Sequence, residues 1–408
     1  MVTTALRGFV ERSLLDPETN ANPYPYLAAL REHAPVYWSR VHDSWLITGY
    51  HEVIDCFQPK GTTADRVSPI LNNVSTQDED LRRSFAILSK WMAFNDASDH
   101  RRLRSVIGDI FHRLQVQQYQ PLIRRIVEQQ LVQLREKGGH CDIVTDYAQP
   151  ISMTLFSQFL GVSPADLDGF RDCTRRVADI ILGMPLSAKK YREAHHSLIK
   201  LFHYLLSIIK QRQLSPGDDL ISTVLERGLG DVSVEEFAAM LTQIAYAGFE
   251  TTCNLMTNGI RVLLQNREQL KILQDEPQHW ETGIDECVRF DGHLKLMVRW
   301  ANSDFELRDQ TIKARTRLYL MTAAANRDPA QFDHPNMLDI RRNPNAHLGF
   351  GHGPHACLGA ALGRLLNREA ISSLFQEYPN LTLDGDTHEW RLSFMVRSVT
   401  ALPVQLRK

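Results

Sequence analysis

Ten residues constrain this 408-residue chain more tightly than anything else in it: Phe350-Gly351-His352-Gly353-Pro354-His355-Ala356-Cys357-Leu358-Gly359. Gly351 and Gly353 can take backbone angles closed to residues with a side chain, so the loop can fold under the cysteine sulfur and turn amides towards it. The run from Ala360 to Phe375 reads as a helix, and its N-terminal end favours a thiolate at Cys357. Gly359 leaves room at the helix start for something flat. Exclusion of water, amides aimed at sulfur and close approach to a plane are what a thiolate ligand of a macrocyclic iron requires. An inert cysteine in a glycine-rich turn would not also need Phe350, His355 and Gly359 in their places.

The rest of the chain can enclose such a site. Hydrophobic residues make up 43% and charged residues 23%, which is enough for a large core. The net charge of -2 gives no general attraction to nucleic acid or anionic membrane. No secretory leader pattern and no run of about eighteen apolar residues is present, so a cytoplasmic protein without a membrane span is expected. Cys56, Cys141, Cys173, Cys253, Cys287 and Cys357 form no C-x-x-C pair, as expected in a reducing compartment and not for zinc.

Helical periodicity dominates, as in Leu122, Ile123, Ile126, Val127 and Leu131, and again from Leu201 to Ile209. Short β-rich runs occur at 36–38, 45–48, 317–320 and 402–406. The spacing predicts a mainly α protein with a minor sheet, built as a single domain over 1–408. Long irregular loops are expected at 59–80 and 187–193.

Ala247-Gly248-Phe249-Glu250-Thr251-Thr252 falls inside a long apolar helix beginning near Val234. Ala247 and Gly248 let a flat cofactor approach the backbone. Thr251 can bond back to a carbonyl one turn earlier, and an acid beside a hydroxyl suits proton delivery. Glu286 and Arg289 are three apart on a helix, as are many surface pairs. His100 and Arg104 share a helix face one turn apart.

The cysteine loop matches the haem-binding signature of the cytochrome P-450 superfamily. The chain resembles its soluble bacterial branch from Asn22-Pro23-Tyr24-Pro25-Tyr26 to Ala401-Leu402-Pro403-Val404. The resemblance implies the P-450 fold, with haem b between the oxygen-activating helix and the cysteine-loop helix and Cys357 as the iron ligand. It implies Glu250 and Thr251 as the acid–alcohol pair, and His100, Arg104, Arg299 and His355 as propionate contacts. Ala247, Gly248, Phe350, Gly351 and Gly359 complete the cofactor's surroundings. Glu286, Arg289 and, from the later meander, Arg342 form a structural ion network, Met337 occupying the commoner third position. By family position the loop before Trp91, the Val177 to Pro185 segment, Tyr246, Phe249, Leu294 to Val298 (Met297 among them), Phe394 and Met395 line the substrate pocket, with His293, Lys295 and Tyr246 as polar options.

The activity implied is O2-dependent hydroxylation, epoxidation or oxidative coupling of a small organic substrate, a secondary metabolite, by a monomer. Electrons would come from a ferredoxin or flavodoxin with its NAD(P)H reductase, docking on a basic patch of Arg102, Arg341, Arg342 and Arg364. A peroxide-driven enzyme is the alternative reading, and a non-catalytic haem sensor a more remote one. The paired Glu250 and Thr251 favour O2.

Overall fold

The computed structural model describes residues 9–407 apart from 59, 72–77, 386 and 387. Its axis is a 32-residue helix, Val234–Gln265, started by a capping box in which Ser233 and Glu236 satisfy each other's backbone amides. Nearly every residue of this helix from Phe237 to Leu264 is buried. A helix apolar on all sides needs neighbours on all sides. Helices Gln149–Phe159, Leu167–Ile181, Ala188–Leu214, Trp280–Asp291 and Ala360–Glu377 supply them.

The minor part is a five-stranded sheet built from β1 (Val36–Ser39), β2 (Ser44–Ile47), β3 (Thr62–Thr63), β4 (Met297–Ala301) and β5 (Arg317–Leu320). Its order is β1-β2-β5-β4-β3, with β2 and β5 parallel and the other pairs antiparallel. Its register sets Arg299 opposite Leu318 and so brings β4 to the edge of the helical core. The run at 402–406 contributes strand Pro403–Gln405, paired with His140–Asp142.

Two expected loops differ. Part of 59–80 lies outside the described residues, but the rest holds β3, a short helix Ser68–Leu71 and the start of helix Glu79–Leu88. The segment 187–193 is not a loop. Ser187 caps a 27-residue helix from Ala188 to Leu214, its hydroxyl accepting from the Lys190 amide at 3.4 Å. The polar first turn, Lys189 to Glu193, hides this start because its partners come from other helices: Glu193 pairs with Arg176 at 3.0 Å.

Glu286 and Arg289 are no surface pair. Both side chains are fully buried, joined by two parallel hydrogen bonds of 2.7 Å. Arg342 approaches the same carboxylate at 3.2 Å, and the Asp339 amide and Asn345 amide group donate to it as well. Arg289 also donates to the carbonyls of Asn326, Pro335 and Met337, so the commoner third position serves through its backbone. Asn326 in turn accepts from the Leu348 amide at 2.6 Å, at the entry to the cysteine loop. Arg289→Met should leave Glu286 charged and buried without two of its six hydrogen bonds, at a cost of about 3–5 kcal/mol. Urea unfolding measures this, and a loss below about 1 kcal/mol would show that the pair holds nothing together.

Candidate active site

The cysteine loop has the strain its glycines were expected to take: Gly351 and Gly353 lie at φ 71° and 70°. The Gly351 amide donates to the Leu348 carbonyl at 2.9 Å, and the Cys357 amide returns to the Phe350 carbonyl at 2.8 Å. The loop closes on itself and presents the sulfur at the start of helix Ala360–Glu377. Cys357 lies deep in the fold yet opens onto a cavity. Burial pushes its thiol pKa up, while the Gly359 amide, Arg104 and Arg364 pull it down.

That cavity, about 300 Å³, has the cysteine loop on one wall and the central helix on another. Ala247, Gly248, Thr251 and Thr252 line it from the helix, with Phe350, Cys357 and Gly359 from the loop. A Cβ on Gly248 would fall 2.1 Å from the Phe156 ring, so no larger residue fits there without moving that ring. The Thr251 hydroxyl donates to the Ala247 carbonyl, leaving its oxygen free to accept from the cavity side. The helix stays α-helical through this point.

Glu250 is turned away from the cavity. Its carboxylate is buried and paired with Arg391, which also holds Asp179 at 2.7 Å. Sequence spacing could not show this, because Arg391 arrives from the C-terminal segment.

His100, Arg104, Arg299 and His355 gather around residues 353–356 and all line the cavity. The His100 and His355 rings lie 4.1 Å apart, and His355 bonds Asp96 at 3.1 Å. Arg104 donates to the Ala356 carbonyl at 2.9 Å. Arg299 is only 9% exposed, has no carboxylate partner among the described residues, and donates to the Val298 carbonyl. Burial drives its pKa down to about 10, with Asp96 pulling it up and the neighbouring charge of Arg66 pushing it further down. A sulfur, a small-residue helix face and a cluster of under-compensated cations are a donor set that fits an iron porphyrin with two carboxylate arms.

Two expected pocket residues do not reach the cavity. Phe249 is core, because it sits about 200° round the helix from Ala247. Phe394 packs edge-on against Tyr319 with centroids 4.7 Å apart, and the turn presents Met395 instead. Tyr246, Leu294 and Met297 do line the cavity, Tyr246 stacked on Trp91 at 5.0 Å. Lys295 is also withdrawn: its ammonium donates to Asn20 Oδ1 at 2.8 Å, and burial lowers its pKa to about 7. Arg66, Phe94, Phe156, Gln243 and Ile244 line the cavity without having been named from sequence. The sole signal available for Arg66 was its place in the loop before Trp91.

The four arginines expected in a basic patch each meet an acid. Arg102 pairs with Glu236 at 2.7 Å, Arg341 with Glu276, Arg342 with Glu286 and Arg364 with Asp285 at 2.6 Å. Each cation is compensated by an acid from elsewhere in the chain.

The cytochrome P450 family model matches residues 72–402. The chain belongs to the cytochrome P450 family. It is 32% identical to the "Biotin biosynthesis cytochrome P450" of Bacillus subtilis (strain 168), over 97% of this chain and 99% of that one. To the "Polyketide biosynthesis cytochrome P450 PksS" of the same organism it is 30% identical, over 96% and 97%. The crystal structure titled P450BioI in complex with hexadec-9Z-enoic acid ligated Acyl Carrier Protein superposes with a TM-score of 0.89 at 32% identity, covering 96% of this chain and 99% of that one. As a cytochrome P450 the protein is an oxidoreductase that binds haem b through a cysteine. No described helix of this P450 is long and apolar enough to cross a membrane.

Burial lowers the pKa of His293, at the cavity wall, and of His195, in the core, to about 4. Both are held neutral in the fold, whereas an unfolded histidine titrates near about 6.5. The stability this confers is complete above about pH 6.5 and is lost as pH falls towards 4. The urea midpoint should therefore drop between about pH 7 and pH 5, and His293→Asn should flatten the drop; parallel pH profiles for the two proteins would argue against it.

Proposed function

We propose that this P450 is a monooxygenase that hydroxylates, epoxidises or oxidatively couples a mid-sized, partly polar natural-product intermediate. It takes two electrons per turnover from a separate ferredoxin or flavodoxin and its NAD(P)H reductase. The observation that carries this reading is that the Cys357 sulfur and the Thr251 hydroxyl open on one cavity whose remaining wall is mostly apolar. Relatives named for secondary metabolism support the substrate class: PksS at 30% identity, and the "6-deoxyerythronolide B hydroxylase" of Saccharopolyspora erythraea at 29% over 94% of this chain and 96% of that one.

Haem, when bound, supplies O2 binding and O–O cleavage, with sulfur donating electron density. The chain's own residues do the rest. Cys357 binds as thiolate, its charge stabilised by the Gly359 amide, Arg104 and Arg364. His100, Arg104, Arg299 and His355 would hold the propionates, where Arg299 would gain the anion it lacks in the protein. Thr251, tethered to Ala247, holds a proton donor at the oxygen side. Glu250 can resupply that proton only by leaving Arg391, so Arg391 and Asp179 set how readily it turns inward.

Cys357→His should replace the thiolate-type reduced carbon monoxide difference spectrum with an imidazole-type one. An unchanged band would sink the ligand assignment. Thr251→Ala should keep full haem content but lower product per NAD(P)H severalfold, with hydrogen peroxide making up the difference. Equal product yields in mutant and wild type would remove Thr251 from proton delivery.

A further inference from the structure

Arg66 is a third arginine in the cavity, after Arg104 and Arg299, with no acid paired to it among the described residues. Its guanidinium lies over the Phe94 ring at 4.4 Å, and its nearest polar contact is the Met395 sulfur at 3.8 Å. No carboxylate among the described residues pairs with it. The acids near it in sequence or space are engaged elsewhere. Asp65 accepts from the Val67 and Ser68 amides at 3.0 and 2.9 Å, and Asp96 serves Thr63, Ala64 and His355. The site is deep enough that desolvation lowers the pKa of Arg66, while Tyr246 pulls it the other way.

A charge left without a partner at this depth costs several kcal/mol, so the arrangement makes physical sense if an anion arrives with the ligand. The haem carboxylates are not the fitting candidate. Bound haem would turn its two propionates to His100, Arg104, Arg299 and His355 on the reading above, whereas Arg66 stands with Phe94, Tyr246 and Met395. Its surroundings are otherwise apolar, with Ile181, Leu182 and Leu294 on the same cavity. The charge of Arg66 is felt by Arg299, but its own contacts are the Phe94 ring and the Met395 sulfur; one guanidinium so placed balances a monoanion, and its fork matches the two oxygens of a carboxylate.

From these contacts we propose that Arg66 anchors a carboxylate at one end of an otherwise apolar substrate. This makes the substrate of this P450 an organic monoacid, held by its charged end so that a carbon at a set distance reaches the oxygen side of Thr251. The inference rests on the haem-site reading above. Arg66 is a specificity residue here, acting on binding and orientation.

The test uses the haem-loaded enzyme and ω-(imidazol-1-yl)alkanoic acids of about six to twelve carbons, each beside its methyl ester. The imidazole binds the iron, so acid and ester differ only at the far end, and spectral titration gives both dissociation constants. At the chain length that spans the cavity the acid should bind about tenfold or more tighter than its ester, the range of a charge-assisted hydrogen bond. Arg66→Met should abolish that preference while leaving ester affinity and haem content unchanged, and Arg66→Lys should retain part of it. Equal binding of acid and ester in the wild type at every length would overturn the anchor while leaving the haem reading intact. Equal weakening of both by Arg66→Met, or loss of haem in that variant, would also overturn it, since a packing or propionate role would do this. If no imidazole shifts the spectrum at all, the haem reading falls and the anchor falls with it.

Discussion

The buried carboxylate of Glu286 is the fixed point of this structure. Two parallel bonds tie it to Arg289, and Arg342, Asn345 and the Asp339 amide complete its shell. Through Arg289 it holds the carbonyls of Asn326, Pro335 and Met337, and through the Asn326 side chain it holds Leu348. From Leu348 a chain of backbone bonds runs to Gly351 and then from Phe350 to Cys357. The sulfur is placed by a network whose centre contains no haem-facing atom. Such a pair adds little net stability over apolar packing. What it supplies is direction, since an ion pair with every donor assigned has one geometry.

Charge is distributed in two ways around the cavity. Away from it, arginines are matched by acids: Arg102 with Glu236, Arg364 with Asp285, and Arg261 and Arg397 with Asp291. At the cavity itself Arg104, Arg299 and Arg66 have no matching acid among the described residues, and burial lowers the pKa of all three. Lys295 and Arg327 also lack an acid but are taken up by neutral acceptors, Asn20 and Ser393 for the one and the Phe290 carbonyl for the other; on the proposals above, the cavity arginines await anions the chain does not itself carry. For Arg104 and Arg299 the anions proposed are the cofactor's carboxylates. For Arg66 the neighbours Phe94 and Met395 place the missing anion among the apolar groups where substrate sits.

Much of the fold was legible because it is written in short-range pattern. Helical periodicity at 122–131 and 201–209 lies within observed helices, and three of the four β-rich runs join the observed strands nearly residue for residue. The helix start at 188 was not legible, because a turn of lysines and a glutamate has no apolar stripe to mark it. At the site, Cys357, Thr251 and the propionate-facing cations stand out through spacing. Glu250 could be read as an acid beside an alcohol, but its engagement by Arg391, 141 residues away, could not. The acids that pair with Arg102, Arg341, Arg342 and Arg364 were hidden for the same reason, since they come from distant segments.

The sequence by itself determined the cysteine loop, the small-residue turn of the central helix and the family, because each rests on residue types at fixed short spacings. Only the tertiary structure decided which ionisable groups face the cavity with a partner and which without. It turned Phe249, Phe394 and Lys295 away, brought Arg66 in, and made Glu286–Arg289 an interior anchor. Pairing and burial depend on groups far apart along the chain, and a carboxylate's meaning changes with whether a guanidinium from another segment reaches it.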